Sequence, residues 1–153
     1  MAAILATVPE ARGILLDRAE VVEASTVLDV PDIVGRCTKI AGDMHVSVPR
    51  GGDCYVLKWV MMDRPDDRAV EVLRNCREAM ASGGKVLIVD LLLPPGPPLP
   101  STSLFDLRML YVNGDGGLRD SAEFDKICTS AGLKVIRTIR TRTPNVIIEA
   151  IAA

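Results

Sequence analysis

The run Lys85 to Leu93, KVLIVDLLL, constrains the fold more than any other stretch. Its apolar residues follow one another without alternating, and Asp90 is the sole interruption. Such a segment needs cover on both faces, which is the situation of a central strand in a parallel sheet with helices packed on each side. One covering helix is legible just upstream. In Asp66 to Met80, DDRAVEVLRNCREAM, residues Ala69, Val72, Leu73, Cys76, Ala79 and Met80 recur at helical spacing. Acids lead the segment and Ser82-Gly83-Gly84 stops it, as helix ends require.

The same grammar runs through the rest of the chain. Ala2 to Val8 is helical and closed by Pro9; GILLD, Gly13 to Asp17, is a buried strand with a polar tip. A helix over Arg18 to Ser25 and a turn at Pro31 to Gly35 lead to a second strand, Cys37 to Met44, and a third spans Cys54 to Val60. PPGPPLP after Leu93 reads as a rigid loop leaving a strand in preference to a PxxP ligand. Ser103 to Tyr111 is expected to be helical, NGDGG to turn, and Ser121 to Ala131 to form a helix with Ser121 as N-cap and Gly132 as stop. Lys134 to Arg142 and Asn145 to Ala152, parted by Pro144, make a terminal antiparallel hairpin. Strand, helix, strand, helix, then hairpin is the order of an α/β three-layer domain, whose ligands lie beyond the carboxyl ends of the strands.

At 153 residues the chain is expected to be one domain, and with aromatics at 3% its core is aliphatic. The net charge of −2 and the scattered Lys and Arg supply no basic stripe, which argues against nucleic acid. No window approaches the ~18 apolar residues of a membrane span, and MAAILATVPEARG lacks a basic leader. Cys37, Cys54, Cys76 and Cys128 form no CxxC pair, so free buried thiols, no metal site and a cytoplasmic location are expected.

Asp17, Asp43 and Asp90 end three of the strands and Lys58 lies near the end of a fourth. Strand ends of a parallel sheet share a rim, and carboxylates there suit ribose hydroxyls and an adenine amino group, which donate hydrogen bonds. For any one acid alone, the alternative is a cap on the next helix.

The segments GILLDRAEVV, RCTKIAGDMHVSVPRGGDCYVLKWV, DDRAVEVLRNCREAMASGGKVLIVDLLLPPG and DSAEFDKICTSAGLKVIRTIRTRTPNVIIEA, in this order, resemble the catalytic domain of S-adenosylmethionine-dependent O-methyltransferases of the plant caffeate and flavonoid and bacterial polyketide group. The resemblance implies a Rossmann-like class I methyltransferase sandwich over residues 1–153. In it Asp17 binds the ribose, Asp43 and Met44 flank the adenine, and Lys58 lies near the cofactor's polar end. Set apart from the resemblance, Met44 reads equally as a core methionine.

The family takes the acceptor's proton with a histidine oriented by acids. Here the register Lys58 to Asp63 puts Met62 at the base position, and a thioether cannot accept a proton at physiological pH. Asp90 replaces the family's glutamate as the remaining catalytic candidate, Leu118 stands where the second acid is expected, and the single histidine, His45, follows the adenine-side motif. The family's first strand and glycine-rich turn precede the segment resembled by MAAILATVPEARG. The expectations that follow are an incomplete sheet, weak binding of S-adenosylmethionine and impaired transfer to a small-molecule acceptor. A homodimer is expected to cover apolar surface around Ile4, Leu5, Leu15 and Val56. The alternative is a truncated, non-catalytic binding protein or half of a split enzyme.

Overall fold

The computed structural model describes residues 1–94, 104, 106, 107, 111 and 117–153. They form two compact units, Met1–Pro49 and Arg50–Ala153. The expected Pro-rich loop beyond Pro94, the helix of 103–111 and the turn at 113–117 lie largely outside the described residues; Leu104, Asp106, Leu107 and Tyr111 are helical.

The first unit contains α1 (Ala2–Thr7), β1 (Gly13–Asp17), α2 (Ala19–Ala24), α3 (Pro31–Val34) and β2 (Cys37–Ala41). β1 and β2 pair in parallel from Gly13↔Cys37 to Asp17↔Ala41. Leu5, Leu28 and Ile33 are its buried core, with Ala2, Ala11, Leu15 and Cys37 packed against them. A helix as short as α1 is not stable alone and leaves its last carbonyls without intrahelical partners. Arg36 supplies them: its guanidinium donates to the carbonyls of Leu5 (2.8 Å), Val8 (3.2 Å) and Ala11 (3.0 Å), and also to Asp32 of α3 (2.9 Å). β2 stops at Ala41, short of the expected Met44, because Asp43 nucleates a turn. Its carboxylate accepts from the His45 N–H at 2.8 Å, and its carbonyl accepts from Val46 and Ser47 at 3.0 Å each.

The second unit contains β3 (Cys54–Lys58), a 3₁₀ turn (Met61–Asp63), α4 (Asp66–Ala79), β4 (Lys85–Leu91), α5 (Ser121–Ser130), β5 (Leu133–Arg140) and β6 (Asn145–Ala152). The sheet order is β3-β4-β6-β5. β3 and β4 are parallel, while β6 runs antiparallel to both β4 and β5, with a register shift between Val135 and Arg137. On β4, Val86, Ile88 and Asp90 are fully buried and their neighbours half-buried. α4 presents Ala69, Val72, Leu73 and Cys76, all at 0% exposure, to this core, and α5 adds Phe124, Ile127 and Cys128.

Several boundaries differ from expectation for local reasons. β3 ends at Lys58 because Trp59 adopts a left-handed backbone, φ 56°. The cap of α5 is Asp120, not Ser121: Asp120 accepts from the Glu123 N–H at 2.9 Å while Glu123 accepts from the Asp120 N–H at 2.8 Å, a reciprocal box. Gly132 (φ 75°) ends that helix as expected. All four cysteines are unbridged, but only Cys76 and Cys128 are buried; Cys54 is exposed and Cys37 intermediate, each at the first residue of its strand. Among the described residues no helix is long and apolar enough to cross a membrane, and no group of His, Cys, Asp and Glu could hold a metal ion.

Candidate active site

The positions that the resemblance assigns to methyl transfer come together in the second unit. Asp90 reaches the end of β4 on the same face as Val86 and Ile88, by the two-residue period of a strand. Its Oδ2 accepts from the Met62 N–H at 3.2 Å and its Oδ1 from the Leu91 N–H at 2.8 Å. Burial pushes this carboxyl up to about 6; the two N–H groups and Arg119 oppose the rise, and Asp63 adds to it. Met62, 3% exposed, packs with Leu118, 7% exposed, and Leu91 and Leu93 pack against this pair. The Gly117 N–H donates to the Met62 carbonyl at 2.9 Å, and the Leu118 N–H to the Asp106 carboxylate at 2.8 Å.

Chemically, this is a closed apolar contact at the two positions that the resemblance assigns to the base and its orienting acid. Asp90 is the titratable group in it, at 0% exposure and turned towards the backbone of the 3₁₀ turn.

Arg119, which sequence reasoning passed over, holds the turn in place. Its guanidinium donates to the carbonyls of Met61 (2.6 Å) and Arg64 (2.7 Å) and to Asp66 (2.9 Å). An arginine beside an apolar residue at a helix entry is a weak signal; what gives it meaning is a partner more than fifty positions away. Lys58 ends β3, opposite Val89, with an exposed side chain. Trp59 follows it, and nothing in the local sequence announces that residue's backbone.

Asp17, Asp43 and Met44 belong to the first unit. The Gly42 N–H donates to the Asp17 carbonyl at 2.9 Å, so the chain leaves β2 at the end where β1 stops, and Asp43 follows at that rim. Each carboxylate uses one oxygen locally: Asp17 accepts from the Arg18 N–H and Asp43 from the His45 N–H, both at 2.8 Å. The second oxygen of each accepts no hydrogen bond from a described residue. Met44 and His45 are half-buried beside these acids.

Parallel pairs β1–β2 and β3–β4, each with an acid or lysine at its carboxyl end, and a terminal antiparallel hairpin define an α/β protein of Rossmann-like type. The chain belongs to the O-methyltransferase domain family, which matches residues 1–134. It is 40% identical over 151 residues to the phenazine O-methyltransferase PhzM of Lysobacter antibioticus, a match that takes in 98% of this chain and 44% of that protein. Among solved structures it resembles the mitomycin 7-O-methyltransferase MmcR, with a TM-score of 0.94, 35% identity, and coverage of 100% of this chain and 45% of that one. CalO1, a methyltransferase of calicheamicin biosynthesis solved in a form with bound SAH, gives a TM-score of 0.91 at 34% identity, covering 99% of this chain and 45% of its own. The chain thus spans less than half the length of these relatives. The expected class I methyltransferase fold is the one these structures share.

Proposed function

We propose that residues 1–153 are part of one catalytic domain for S-adenosylmethionine-dependent methyl transfer to a phenolic or hydroxyl oxygen of a small molecule, and that this chain by itself performs it poorly. Asp17 and Asp43 fit the nucleoside half of the donor, since each offers a carboxylate oxygen at the rim to ribose or adenine donors. Met44 lies beside the adenine, and Lys58 faces the carboxylate of the amino-acid end. When bound, the donor supplies an electrophilic methyl group on a sulfonium. Relatives with names that state O-methylation of phenazine and mitomycin compounds support a ring-bearing acceptor.

The observation that carries the second half of the reading is the packing of Met62 on Leu118. An acceptor hydroxyl would find a thioether and an isobutyl group where its proton must leave. Lys58 is the one described residue that this reading gives to the amino-acid end, so binding by this chain is weak. The four free thiols favour a reducing compartment, the cytoplasm.

Self-association is part of the proposal. β1 pairs with β2 alone and β3 with β4 alone among the described strands, and parallel edges of this kind template further pairing. Ile14 on β1 and Val56 on β3 are 45% and 41% exposed, and Ile4 is 44% exposed. Leu5 leaves the expected interface set: it is 1% exposed in the core of the first unit, where Leu15 also packs.

Calorimetric titration with S-adenosylmethionine and S-adenosylhomocysteine tests the reading. Weak, detectable heat is expected, and a dissociation constant in the low micromolar range overturns the claim of weak binding.

A further inference from the structure

Among the described residues Trp59 alone, glycine aside, has a positive φ, 56°. For a bulky side chain this is a strained conformation, one that persists only where the surroundings over-determine it and that concentrates at functional sites. Burial is not the compensation, since Trp59 is 46% exposed. Its N–H still donates to the Val89 carbonyl at 2.9 Å, so β3 pairs with β4 into the strained residue itself.

The strain changes where the ring goes. Neighbours in a straight strand face opposite ways. The left-handed turn cancels that alternation and brings the indole under Lys58, whose Nζ lies 4.8 Å from the ring centroid. The far edge of the ring is tethered. The indole N–H donates to Asn145 Oδ1 at 2.7 Å, and the Asn145 amide nitrogen donates to the Thr143 hydroxyl at 3.2 Å, which fixes the way the amide faces. The Thr141 hydroxyl meets that of Thr143 at 2.8 Å and donates to the Asn145 carbonyl at 2.8 Å. The turn between β5 and β6 therefore grips the indole, and the indole carries the ammonium.

We propose that Trp59, anchored by Asn145, is a positioning residue that holds the Lys58 ammonium at the carboxyl end of β3 for the carboxylate of an amino-acid-bearing nucleoside. This rests on the reading of Lys58 given above. A lysine side chain is long and loses rotamer freedom on binding; a ring beneath its head restricts it beforehand, so less freedom remains to be lost when the ligand arrives.

The test is proton–carbon NMR of the whole chain with labelled lysine, the Lys58 signal being assigned by Lys58→Arg. The indole ring current should place the Lys58 ε-methylene upfield of the other lysines. Trp59→Gly, which keeps a left-handed turn without strain, should abolish the offset. Asn145→Ala should reduce it while amide signals away from the two turns stay in place. In the same spectra, titration with S-adenosylhomocysteine should be weakened about two- to fivefold by Trp59→Gly, the worth of an exposed cation–π contact. An ordinary Lys58 shift in the unmodified chain, or a full offset in Asn145→Ala, overturns the proposal. If the offsets behave as described but Lys58→Ala binds as well as the unmodified chain, positioning by Trp59 stands and the assignment of Lys58 to the cofactor falls.

Discussion

The backbone N–H of Met62 donates to the buried carboxylate of Asp90 at 3.2 Å. The residue that the resemblance puts at the base position is thus engaged through its main chain, while its thioether packs on Leu118. Acid and apolar side chain share one small volume without sharing any proton chemistry.

Met62→His is expected to leave methyl transfer at background. A positioned base is typically worth roughly 100- to 10,000-fold, but here the imidazole would meet apolar Leu118, Leu91 and Leu93 and lack the second acid, whose place Leu118 takes. Burying its second nitrogen without a partner costs about 1–3 kcal/mol. Urea denaturation should show that loss, and Leu118→Glu added to it should recover part of the stability through a new pair. Clear turnover of a catechol panel by the single variant would sink this expectation.

Asp90 makes stability fall with rising pH. Its carboxyl is raised by burial from 3.8 to about 6, so the folded chain holds the proton more tightly than the unfolded one. The contribution is fully present below 3.8 and is lost as pH rises to about 6. Its size is on the order of 3 kcal/mol. Asp90→Asn should flatten the slope of urea midpoint against pH in that window, and an unchanged slope counts against the account.

Glu149 acts with the opposite sign. Buried on β6, it accepts from Arg137 at 2.5 Å and from Lys85 at 3.0 Å, and these two partners hold its carboxyl below the usual 4.5. Its contribution is present above 4.5 and is lost as pH falls through the lower folded value. Glu149→Gln should weaken the chain at neutral pH and remove its share of the acid limb, read from thermal melts in acidic buffers.

Arg36→Lys tests the first unit. A single ammonium cannot reproduce a guanidinium that reaches the carbonyls of Leu5, Val8, Ala11 and Asp32. A loss of about 1–3 kcal/mol is expected. Hydrogen exchange should quicken at Gly13, whose N–H donates to the Arg36 carbonyl at 2.8 Å. Unchanged protection there would show that α1 is held by its apolar contacts alone.

Sedimentation velocity at micromolar concentration is expected to give a dimer. A single monomeric species with protected Leu15 and Val56 amides would remove the case for self-association.

The strands and α4 were legible because burial writes a period into the sequence: KVLIVDLLL announces a doubly covered strand, and Val72, Leu73 and Cys76 announce a helix face. Met62 and Leu118 were tied to the base and acid positions by register with the family, but the contact between them was not read from the sequence. What the sequence did not disclose depends on backbone angles or distant partners. Trp59 looks like an ordinary strand residue until its φ is known, and Arg119 is one arginine among many until Met61 and Arg64 are brought to it. The misplaced cap has the same origin, since Asp120 and Ser121 are both good caps and only the angle of entry decides between them.

Arg119 grips the carbonyls of Met61 and Arg64 and the side chain of Asp66, and touches no atom of the side chain at 62 that a substitution would change. The address of position 62 is therefore written in main-chain atoms, and its occupant is written separately. Such a locus is expected to keep its coordinates when its occupant is exchanged. For engineering, residue 62 behaves as an interchangeable cartridge in a fixed breech, with Leu118 the neighbour that must be refitted alongside it.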